Sequence, residues 1–126
     1  MKSTATQGLP SALNPQTAHP ASPQDGSFER WYREGEALAN AGDYARALRC
    51  FEEAAILAPD QMTALVYQAV CLIHLGQPQR ALAVAEKVLA IAPDHPQGWL
   101  YRGVALHRLG HYKDAYASYA QVRHFK

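Results

Sequence analysis

Long apolar runs are missing from this sequence. No stretch approaches the ~18 consecutive apolar residues that cross a bilayer as a helix, and the opening MKSTATQGLPSALNPQTAHP lacks the apolar core of a secretory signal. The chain reads as a protein that neither enters a membrane nor is exported, and the cytoplasm is its expected location. Charge of one sign is equally scarce: 12 Lys and Arg against 11 Asp and Glu leave a formal net charge of +1 over 126 residues. A surface without concentrated cations cannot displace the counterions of a phosphate backbone, which argues against nucleic acid as a partner. Cysteine is limited to Cys50 and Cys71, with no CxxC spacing. Both fall in helical patterns, where a thiol usually acts as a small buried hydrophobe, and a reducing compartment fits. Signatures of catalysis are lacking too. There is no GxSxG and no phosphate-cradling glycine loop, and Glu52 with Glu53 reads as a solvated face. His107 and His111 have the spacing of a shared zinc site, but Gly110 between them ends the helix and turns them apart. No enzyme activity, cofactor or metal is expected.

What the sequence does have, from Phe28 onward, is a period. Gly42 recurs as Gly76 and Gly110, Ala47 as Ala81 and Ala115, and Gly35 as Ala69 and Gly103, each step being 34 positions. Such a period means that one supersecondary unit is stacked along an axis. Ahead of it, residues 1–26 hold four of the eight prolines among Ser, Thr, Gln, Ala and Gly. This composition predicts a disordered extension, with Leu9 and Leu13 as its only side chains able to dock. Residues 27–126 then form one domain of three units, at about 28–61, 62–95 and 96–126.

Each unit reads as two helices. In the first, Phe28, Trp31, Leu38 and Ala41 form one apolar stripe, with Arg33, Glu34 and Glu36 outward. Gly42 ends that helix and Asp43 is placed to cap the next. The second helix carries Tyr44, Ala47, Leu48, Phe51, Ala54 and Leu57 at helical spacing, and Pro59 stops it. In the second unit Pro78 opens the second helix, where its missing N–H is harmless. In the third, Trp99, Leu100 and Leu106 lie on the first helix and Tyr112, Ala115, Tyr119 and Val122 on the second.

These residues resemble the tetratricopeptide repeat family. Trp31, Gly35, Gly42, Ala47, Phe51, Ala54 and Pro59 match its pattern in the first unit. In the second, Leu65, Ala69, Gly76, Ala81, Val88 and Pro93 match, but Ala85 stands where the family has an aromatic. Trp99, Gly103, Gly110, Ala115, Tyr119 and Val122 match in the third. The small residues are expected to let paired helices approach closely, with Trp31, Trp99, Phe51 and Tyr119 filling the wider gaps between them. The resemblance implies an all-α, right-handed α-solenoid of three antiparallel helix pairs whose first helices line a concave groove for a segment of another protein. By the family's groove positions the site comprises Tyr32, Arg33 and Glu36, then Val66, Tyr67, Val70, Ile73 and His74, then Leu100, Tyr101, Val104, His107 and Arg108. The middle of this set is apolar, with Arg33, His74, His107 and Arg108 as a basic rim suited to acidic neighbours of an apolar or amphipathic segment.

One subgroup of the family clamps the C-terminal carboxylate of heat-shock chaperones. At its five clamp positions this chain has Tyr32, Glu36, Tyr67, Gln97 and Tyr101, none of which matches, and Glu36 would repel a carboxylate. A chaperone-tail adaptor is therefore not expected. The expected function is a non-catalytic protein-protein interaction module, that is, a scaffold, adaptor or assembly factor. The alternative is a chaperone-like subunit or a self-associating structural oligomer. No polar helix follows the third unit, so Tyr116, Tyr119 and Phe125 are expected to be partly exposed. A homodimer through the last helix, cover by the N-terminal segment, and a chain cut from something longer would each account for that. The register itself is testable: Ala81→Leu should cost about 1–3 kcal/mol by overpacking, read as a lowered denaturation midpoint, and an unchanged midpoint would count against the repeat alignment.

Overall fold

In a computed structural model, the backbone is described for residues 27–124 and the side chains for residues 27–123. The expectations for residues 1–26, including Leu9 and Leu13, and for Phe125 lie outside the described residues. Six helices follow one another: α1 Phe28–Asn40, α2 Tyr44–Leu57, α3 Met62–His74, α4 Pro78–Ile91, α5 Pro96–Arg108 and α6 Tyr112–His124. Among the described residues there is no strand, and no helix is long and apolar enough to cross a membrane. The protein is all-α.

Local chemistry explains where the helices start and stop. Ser27 Oγ accepts the Arg30 amide at 3.2 Å and Asp43 Oδ1 accepts the Arg46 amide at 3.2 Å, so each satisfies an orphan donor of a first turn. Pro78 and Pro96 occupy the first turns of α4 and α5, where no amide hydrogen is needed. The turn inside each repeat is the same Schellman arrangement three times. Gly42, Gly76 and Gly110 lie at φ of 83°, 73° and 85°, in the left-handed region that side chains disfavour. The amides that follow, of Asp43, Gln77 and His111, reach back to the carbonyls of Leu38, Leu72 and Leu106 at 2.8, 2.8 and 2.9 Å. One geometry repeated three times makes one solenoid.

Contacts run chiefly between consecutive helices, with α3 also touching α5 and, through Tyr67, α1. Within a repeat, close approach depends on a missing side chain opposite a ring. A Cβ added at Gly35 would lie 2.8 Å from the Phe51 ring, and one at Gly103 would lie 2.5 Å from the Tyr119 ring. In the second repeat the equivalent positions are both alanines, Ala69 and Ala85, each at 1% exposure. Alanine thus stands there in place of both the glycine and the ring. α3 is enclosed, with Ala64, Leu65, Val66, Gln68, Ala69, Cys71, Leu72 and Ile73 buried. Its one buried polar side chain, Gln68, donates from Nε2 to the Phe51 carbonyl at 3.3 Å, which satisfies a group that would otherwise destabilise the core.

Four positions differ from the sequence expectation. Ala41 is exposed at the C-cap of α1, outside the apolar stripe, and Leu57 at the end of α2 is 49% exposed. Both lie where helices turn away from their neighbours. Trp31 and Trp99 are half-buried at the edge of the stack, so the inter-helix gaps are filled by Phe51 and Tyr119. Trp99 instead ties down a turn, donating Nε1–H to the Pro93 carbonyl at 2.8 Å.

Cys50 and Cys71 are free, at 2% and 0% exposure. Burial pushes both thiols from the ordinary value of 9.0 up to about 11, with Glu34 adding to Cys50 and Cys50 adding to Cys71. Below pH 9 both states keep these protons and the thiols contribute no pH dependence. Between pH 9 and 11 the unfolded chain loses them first, so stability falls as pH rises, by up to about 1.4 kcal/mol per unit of separation per thiol. Urea titrations across that interval should show the decline, and Cys50→Ala with Cys71→Ala should make it shallower, leaving the part due to the Tyr32, Tyr67 and Tyr119 phenols, which burial also raises. Independently, Gly35→Ala should lose about 1–3 kcal/mol by overpacking, and Phe51→Leu in the same chain should recover part of it, as measured by a double-mutant cycle.

Candidate functional site

Because α1, α3 and α5 are the first helices of successive repeats, their equivalent positions line up across the stack. Tyr67 and Tyr101 hold the same position in their repeats and Tyr32 the position before it, and the three meet on one side, around a cleft of about 330 Å³ lined also by Thr63, Val66, Val70 and Gln97. The floor is aromatic. Tyr67 stacks on Phe51 at 4.6 Å between centroids and 5° between planes, and Tyr32 meets both rings edge-on at 5.6 Å. Phe28, one turn before Tyr32, stacks on it at 5.4 Å. Such pairs are worth about 0.5–1.5 kcal/mol each beyond area burial, so the floor is rigid.

The charged group at this cleft is acidic. Glu36, half-buried on α1, accepts the Tyr67 hydroxyl at 3.4 Å. Burial first, and the Glu36 carboxylate second, push the Tyr32 and Tyr67 phenols above their ordinary value, so both rings stay neutral donors at physiological pH. The cleft thus offers phenol hydroxyls, one carboxylate, the Gln97 amide, the Thr63 hydroxyl and the apolar walls of Val66 and Val70.

The residues named from the sequence are only partly brought together. Tyr32, Val66, Tyr67, Val70 and Tyr101 line the cleft, and Glu36 is hydrogen-bonded at its wall. Val66 belongs equally to the core, at 6% exposure beside Leu65 and Val88. Ile73 is corrected to a core residue: it is 6% exposed within the cluster of Leu48, Phe51, Leu72 and Ala81, because α2, α4 and α5 enclose α3. Leu100 and Val104 are half-buried outside the cleft, Val104 against that same cluster.

The basic rim does not assemble around the cleft. His74 lies flat on Tyr44 at 4.1 Å and 2°, and His107 packs edge-on against Tyr112 at 5.0 Å and Tyr116 at 6.1 Å. Arg33 and Arg108 are exposed and line no part of it. Thr63 and Gln97 line the cleft as well, and neither is among the groove residues named from the sequence. The support from Phe28 was readable only as an aromatic four residues before Tyr32. Among the described residues no group of three or more His, Cys, Asp or Glu could hold a metal ion.

Comparison with known proteins follows the same lines. Sequence models described as tetratricopeptide repeat match residues 32–96 and residues 72–125. No curated protein sequence matches the chain. Among solved structures, the first such domain of Spaghetti (RPAP3), bound to the HSP90 peptide SRMEEVD, is similar with a TM-score of 0.76 at 17% identity, covering 79% of each chain. The Sgt2 domain from Aspergillus fumigatus is similar with a TM-score of 0.75 at 22% identity, covering 82% of this chain and 72% of that one. The Arabidopsis OM64 domain gives 0.76 at 23% identity, covering 79% and 83%. At these identities the likeness is one of fold.

The floor predicts a separation of effects. Tyr67→Phe keeps the stack on Phe51 and loses one hydrogen bond, so it should change stability by no more than about 1 kcal/mol. Tyr67→Ala removes the stack and should cost about 2–4 kcal/mol. Thermal or urea denaturation of the two variants checks both values.

Proposed function

The chain belongs to the tetratricopeptide repeat family, whose members are protein-protein interaction modules, and from that premise we propose that it is a non-catalytic adaptor or assembly factor. Its cleft takes a short apolar or amphipathic segment of a partner protein. The observation that carries this reading is the convergence of all three first helices on one cleft with a stacked aromatic floor. An apolar surface with convergent polar groups is the usual form of a recognition site.

The chemistry of the cleft narrows the segment. Tyr32, Tyr67, Gln97 and Tyr101 occupy four of the five positions where the chaperone-tail subgroup clamps a carboxylate, and Glu36 occupies the fifth. The location is shared but the charge is reversed. The segment is therefore one that inserts an apolar or aromatic side chain between the tyrosines and sets a basic residue near Glu36, in place of the acidic neighbours that the dispersed basic rim suggested. An acidic tail such as SRMEEVD, the peptide bound to the Spaghetti domain, does not suit it. Two buried free thiols accord with a cytoplasmic setting. Three or four buried side chains, offset by ordering, support an affinity near micromolar.

Fluorescence anisotropy with labelled peptides tests this. A peptide with an aromatic anchor beside Lys or Arg should bind at least ~10-fold more tightly than the same peptide with Glu there. Glu36→Gln should erase the difference, and Tyr101→Ala should weaken both. Micromolar binding of SRMEEVD would overturn the proposal.

A further inference from the structure

α6, the last of the described helices, has a face that copies an interface used earlier in the chain. Tyr44 and Phe51 of α2 recur in α6 as Tyr112 and Tyr119. On α2 those two rings are what α3 docks against: Tyr67 stacks on Phe51 at 4.6 Å and 5°, and His74 stacks on Tyr44 at 4.1 Å and 2°. The inter-repeat joint is therefore two parallel stacks, seven residues apart on each helix and antiparallel in sense. In α6 the inner side of Tyr119 is filled against Gly103, as Phe51 is filled against Gly35. Its outer side opens on a cleft of about 340 Å³ lined by Tyr116, Tyr119, Ala120, Val122 and Arg123. Tyr112 and Tyr116 on the same stripe are 54% and 59% exposed. Among the described residues neither Tyr112 nor Tyr119 has a parallel-stacked ring; their ring contacts are edge-on or tilted.

A helix that continues this joint must carry two planar rings seven residues apart and lie antiparallel to α6. α6 meets that requirement itself. We propose that this face joins two copies of the chain about a two-fold axis, with Tyr112 of each stacking on Tyr119 of the other and Tyr116 beside the axis. A head-to-tail stack is disfavoured by the other end. The α1 positions equivalent to Tyr67, Gln68, Cys71 and His74 of α3 are Arg33, Glu34, Ala37 and Asn40, which offer no ring to either tyrosine. The contact is self-complementary, as a closed dimer requires. It is also small. Aromatic side chains bury ~150–250 Å² each, and three that are already partly covered add only a fraction of the ~800 Å² per partner of a standard stable interface. The dimer is weak and reversible.

Sedimentation equilibrium of the full chain from about 10 to 500 µM, a range set by the small contact, should show a monomer–dimer equilibrium. Tyr112→Ala and Tyr116→Glu replace exposed side chains and should raise the dissociation constant at least ~10-fold with unchanged melting. Tyr116→Cys should cross-link to itself on mild oxidation, since the native thiols are buried, and Arg33→Cys should not. A wild type that stays monomeric at 500 µM, a dimer retained by both tyrosine variants, or cross-linking of Tyr116→Cys to Arg33→Cys in a mixture would each overturn the proposal. The groove reading stands or falls separately, by peptide binding to the monomer.

Discussion

The architecture depends on a steric exclusion: a ring on the second helix of a repeat occupies the space where the first helix would otherwise carry a side chain. Phe51 against Gly35 and Tyr119 against Gly103 set the distance between paired helices in the first and third repeats, and in the second both positions are buried alanines. Everything functional follows from that spacing. The inner edge of Phe51 fixes α1, and its outer face carries Tyr67, so one side chain sets both the helix pair and the start of the next repeat. The cleft floor is the visible part of this core.

The fold was largely legible because its determinants are local and periodic. Gly42, Gly76 and Gly110 sit where a left-handed residue is required, Asp43 caps as expected, and Pro78 opens α4. What was less legible depends on neighbours in space. Ile73 and His107 hold the same repeat position, yet Ile73 is buried and His107 exposed. A following repeat covers the first and none among the described residues covers the second. The tryptophans were misplaced for a related reason: size suggested core, whereas Trp99 serves a turn through its indole N–H.

The site shows the same division between position and chemistry. Register alone identified which side chains meet, since Tyr32, Tyr67 and Tyr101 do line one cleft. Its electrostatic character was not readable from a count of nearby cations. His74 and His107 are drawn into ring contacts on other faces, and Glu36 is held at the wall by Tyr67. Charge in a groove depends on where a side chain finds its partner, and a helical wheel does not contain that information.

The pattern of helix contacts has a kinetic consequence. Each helix touches those adjacent to it in the chain, and the further contacts, of α3 with α5 and with α1, skip a single helix. Little loop-closure entropy must be overcome before contacts form, which favours rapid folding. α3, enclosed on its flanks by α2, α4 and α5, is the segment whose amides exchange with solvent only when the whole array opens. Among the described residues α1 and α6 are each held chiefly from one side, so these contacts give them less protection than α3.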